Sequence, residues 1–183
     1  MRKTLLLFTT MALTLLLAAG MAWAALPAPT VVSTVPPNNG TTGVDPAADI
    51  TVTFSEAMST KSLGICNHCT STTSSKTFYL LRGNFTALSP TKNPPRFCTN
   101  TVTGATASCP TPIPATVRYD AGAKTAILNP NSTLLSGITY TVVVEGSADG
   151  DYVAVKDADG TPMATDYIFS FTTATGGPAP GPA

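Results

Sequence analysis

The chain has 183 residues, ten basic and ten acidic side chains and one histidine, with no net formal charge. Two of the basic residues, Arg2 and Lys3, fall in an apolar N-terminal segment, so the rest carries eight against ten, a net charge of about −2 without long runs. That balance excludes a basic surface of the kind that holds nucleic acid or an anionic membrane. Trp23, the only tryptophan, lies in the same segment, so the remainder has no indole for stacking on a sugar.

The opening MRKTLLLFTTMALTLLLAAGMAWA reads as a Sec signal peptide spanning residues 1–24. Arg2 and Lys3 form its basic start, Leu5 to Ala19 an apolar core broken only by threonines, and Ala22-Trp23-Ala24 a small-residue cleavage site. A retained membrane anchor is the alternative, but the run is short for a bilayer span. No cysteine follows the apolar core, which disfavours a lipoprotein. Export, a globular domain over residues 25–174 and a disordered Gly/Pro/Ala tail over 175–183 are the expected organisation.

Period-two alternation dominates the domain, and no amphipathic helix appears. Val31 to Val35 is a short apolar run closed by the turn signal Pro36-Pro37-Asn38-Asn39-Gly40. In ADITVTFSEAM, Ile50, Val52 and Phe54 face one way and Thr51 and Thr53 the other. KTFYLL places Phe78 and Leu80 on one face, and ATVRYD does the same for Val117 and Tyr119. Asp120-Ala121-Gly122 then turns the chain into KTAILNP, where Ala126 and Leu128 alternate. ITYTVVVEG sets Tyr140, Val142 and Val144 against Thr139, Thr141 and Val143, and DYIFSFTT aligns Tyr167, Phe169 and Phe171. About seven strands joined by Gly/Pro/Asp/Asn turns predict an all-β, two-sheet antiparallel sandwich.

Several segments resemble, in order, the bacterial Ig-like domain of the SbsA type. They are STVPPNNGTTGVDPAADITVTFSEAMSTKSL, LNPNSTLLSGITYTVVVEG and VAVKDADGTPMATDYIFSFTT, and the likeness runs from Val32 to Thr173. The resemblance implies an Ig-like sandwich found in surface-layer, cell-wall and secreted proteins, with a spacing or ligand-presenting role and no reaction. Within it, Leu135, Gly137 and Tyr140 resemble a tyrosine corner, whose hydroxyl bonds back to upstream backbone while its ring fills the core edge. Phe54, Phe169 and Phe171 are structural core positions on the same reading. Two loop insertions depart from the pattern, Gly64 to Ser75 and roughly Pro90 to Pro112, and between them they hold all four cysteines.

Cys66, Cys69, Cys98 and Cys109 are an even set in an exported chain, which reads as two disulfides. Zinc held by the same four, or with His68 in place of one, is the alternative, but the second pair lacks the tight spacing of a zinc knuckle. A thioredoxin-like redox site needs a helix start that is absent, and haem attachment needs a histidine where Thr70 stands. Local pairing is favoured because one insertion precedes and the other follows the KTFYLL strand, roughly 20 Å long. Cys98 with Cys109 would close a modest loop worth about 3 kcal/mol. Cross-pairing between the insertions stays open. Asp149, Asp151, Asp157 and Asp159 are candidate calcium ligands, weighed against ordinary turn residues in a family hairpin. No metal is favoured and no cofactor is called for. Asn84-Phe-Thr86 and Asn131-Ser-Thr133 match the glycosylation sequon, a chance match in most bacterial chains.

No catalytic constellation assembles. The expected protein is a monomeric, exported, non-catalytic Ig-like module, structural or partner-binding, at the bacterial cell surface or in the medium. Its partner would be a protein or a cell-envelope glycan, with no nucleic acid and no membrane insertion after signal removal. A secreted enzyme or metal-binding protein using the cysteine-containing loops is the alternative.

Overall fold

The computed structural model describes residues 27–38, 40–64, 77–89, 97–100, 104, 106–108, 110–147 and 154–176. These contain strands and turns and no helix. Seven strands form two facing sheets. The first sheet has the order β1-β2-β8-β7, built from β1 (Val31–Val35), β2 (Ile50–Phe54), β8 (Thr125–Pro130) and β7 (Ala115–Asp120). The second has the order β10-β9-β3, built from β10 (Tyr167–Thr172), β9 (Thr139–Val144) and β3 (Phe78–Arg82). Every neighbouring pair within the sheets is antiparallel.

The order matches the A-B-E-D and G-F-C sheets of an immunoglobulin constant-type sandwich. In that correspondence β1, β2, β3, β7, β8, β9 and β10 are strands A to G. After β1 the chain crosses to the other sheet, where Val44 forms a parallel bridge with Thr173 beside β10. The alternating residues decide the packing. Ile50, Val52 and Phe54 from β2, Ala126 and Leu128 from β8, and Tyr140, Val142, Val144, Phe169 and Phe171 opposite them are all buried in one core. Each fully buried apolar side chain of this size is worth about 1.5–3 kcal/mol before chain entropy is counted.

The departure from the expected two-sheet plan lies between β3 and β7. This stretch contains a third, three-stranded antiparallel sheet, β4-β5-β6, from β4 (Phe85–Ser89), β5 (Phe97–Asn100) and β6 (Thr106–Ser108). What the sequence presents as a loop insertion near Pro90 to Pro112 therefore contains two strands of its own, with Cys98 inside β5 opposite Ala107. The other insertion, with Cys66 and Cys69, and also Cys109, lie outside the described residues.

The start of β4 packs on the apolar outer face of the β10-β9-β3 sheet. Tyr79, Leu81 and Val143 form a second buried cluster there, with Phe85 and Ile168 packed against it. Gly83 makes the connection possible. Its φ is +123°, and a Cβ on it would sit 2.8 Å from the Phe85 ring, so no side chain fits at the turn that folds β4 back over the sheet.

Candidate functional site

The seven-strand frame sorts the connections into two poles. At one pole lie the B–C segment after β2, the F–G segment after β9 and the tight β7–β8 turn. At the other lie the segment between β1 and β2, the β8–β9 corner and the end of β10.

The first pole is built as a hydrogen-bonded platform. Ser59 N–H donates to Lys156 O (2.9 Å) and Ala158 N–H to Ala57 O (2.9 Å), which zips the B–C segment to the F–G hairpin. Ser62 reinforces the seam, since its hydroxyl donates to Ser59 O and Lys156 O and accepts from Lys156 N–H (2.8, 3.1 and 2.9 Å). Thr77, at the far end of the B–C segment, donates through Oγ1 to Ser62 O (2.6 Å). The Tyr119 hydroxyl accepts from Met58 N–H (2.8 Å), tying in the β7 strand.

Two buried carboxylates stand in this pole. Glu145 is 1% exposed and accepts a hydrogen bond from the Tyr79 hydroxyl at 2.7 Å. Alternation along β9 puts Glu145 on the outer side with Val143, and the β3–β9 register puts Tyr79 opposite Val143. Asp157 is 2% exposed. Its Oδ1 accepts from Thr161 N–H (2.7 Å), while Asp157 N–H donates to Thr161 O (2.9 Å), closing the hairpin KDADGT. Its Oδ2 has no partner. Asp166 supports the neck of the same segment by accepting from Gly146 N–H at 2.7 Å.

Of the four aspartates proposed for calcium, Asp157 and Asp159 fall among the described residues. Asp157 is a buried turn-closing group, Asp159 is exposed, and Asp149 and Asp151 lie outside the described residues. No group of three or more His, Cys, Asp or Glu side chains with metal-binding geometry occurs among the described residues.

The second pole holds the corner. Tyr140 is 1% exposed, its ring stacks on Phe171 with centroids 5.9 Å apart, and its hydroxyl accepts from Leu135 N–H at 2.9 Å. Leu135 is itself 53% exposed, so the corner uses its main chain, and the buried leucine is Leu134. Gly137 turns the chain with φ +68° and donates to Ala174 O (2.9 Å). Thr173, which sequence reasoning passed over, completes the knot. It donates through Oγ1 to Leu135 O (2.6 Å) and accepts from Ile138 N–H (3.1 Å).

A family model described as bacterial Ig-like domain matches residues 27–173. The chain belongs to this family. No curated protein matches this bacterial Ig-like domain by sequence. Among solved structures it is similar to the crystal structure of the S-layer protein rSbsC(31-844), at 22% identity and a TM-score of 0.43. That match covers 86% of this chain and only 15% of the S-layer chain, so the domain spans a small part of that protein's length. It is also similar to PcoC, a methionine-rich copper resistance protein from Escherichia coli. There the identity is 18% and the TM-score 0.48, over 80% of this chain and 99% of PcoC. With TM-scores below 0.5, neither likeness bears on what this chain binds.

Proposed function

We propose that this bacterial Ig-like domain is an exported, non-catalytic module of the SbsA type that presents its B–C/F–G pole to a partner in the cell envelope or the medium. The observation that carries the reading is the separation of the two ends. The B–C and F–G segments converge on one hydrogen-bonded platform, through Ser59, Ser62 and Lys156. The chain leaves β10 at the opposite pole, past the Gly137–Ala174 hydrogen bond. Family membership and the signal-like leader support an envelope or extracellular setting. Loops at one end of a rigid sandwich are where Ig-type folds place recognition.

The test immobilises the full chain and captures partners from cell-envelope fractions, comparing three proteins. Wild type and Leu135→Ser, altered at the far pole, should capture the same partner, and the Lys61→Glu/Asp159→Lys double variant should lose it. Capture unaffected by the double variant, or abolished by Leu135→Ser, overturns the assignment of the pole. Turnover of any substrate by the purified chain in broad hydrolase screens would overturn the non-catalytic part.

A further inference from the structure

We draw no further inference here: the strongest candidate, the buried Asp157 carboxylate where the B–C segment meets the F–G hairpin, has an unpartnered Oδ2 with no accessible surface to receive a ligand, and no metal-binding group of acidic, histidine or cysteine side chains gathers around it among the described residues.

Discussion

Replacing Tyr140 by Phe isolates the corner hydrogen bond from the packing that surrounds it. The ring, buried in the core and stacked on Phe171, is kept, so no cavity opens. What is lost is the acceptor for Leu135 N–H at 2.9 Å. A fully buried orphan donor would cost about 1–3 kcal/mol, but this hydrogen bond is only part-buried, at a residue that is more than half exposed. The expected loss is therefore about 1 kcal/mol, or a Tm lower by about 2–4 °C for a domain of this size. Urea unfolding of wild type and variant, with equal m-values, measures it directly. Thr173→Val offers an independent check, because Thr173 Oγ1 holds the carbonyl of the same residue, Leu135. Two side chains holding one residue's backbone should couple, so the double variant should deviate from additivity by at least about 0.5 kcal/mol. Superimposable melts for Tyr140→Phe would refute the corner. A loss above about 3 kcal/mol would show that the ring, and not the hydroxyl, had been disturbed.

Three further outcomes are expected. Gly146→Ala should destabilise by about 1–3 kcal/mol or more, because its Cβ would fall 2.2 Å from the Thr165 carbonyl carbon, whereas Gly122→Ala, with Asp120 Oδ1 at 3.4 Å, should stay within about 0.5 kcal/mol in the same titration. Tyr79→Phe removes the hydroxyl that Glu145 accepts and should cost about 1–3 kcal/mol by chemical denaturation; an unchanged midpoint would mean the pair contributes nothing. Peptide mapping without reduction should recover a fragment joining Cys98 to Cys109, the local pairing within the second cysteine-containing segment. A fragment joining either to Cys66 or Cys69 would refute local pairing.

Six of the seven sandwich strands were legible because each carries core-facing residues at a spacing of two, whereas β1 buries only Thr34 and was legible as a short apolar run ending at a dense turn signal. ITVTF shows this most plainly, with Ile50, Val52 and Phe54 buried and Thr51 and Thr53 half-buried. The third sheet was not legible. Alternation reports one buried face, and FYLL and VVVE have both faces buried, so reading only Phe78 and Leu80 left Tyr79, Leu81 and Val143 unaccounted for. An unbroken apolar run in a sheet otherwise faced with threonine was the available signal that something covers it. The Tyr79–Glu145 pair was hidden for a related reason. It is visible only when the β3–β9 register is known, because the residues are 66 positions apart. The Ser62 seam was equally silent, since a serine in a polar turn reads as solvated.

The crossing of the chain from β1 to the edge of β10 has a mechanical consequence. Val44 N–H bonds to Thr172 O (3.1 Å), Thr172 N–H to Thr41 O (2.8 Å) and Ala174 N–H to Val44 O (2.8 Å), joining the two terminal segments side by side and in the same direction. The chain enters at one pole and leaves at the other. A pull on its ends would load these bonds across their length, in shear and all at once, and could not peel them one by one. A domain clamped in this way resists stretching at the seam between residues 41–44 and the end of β10.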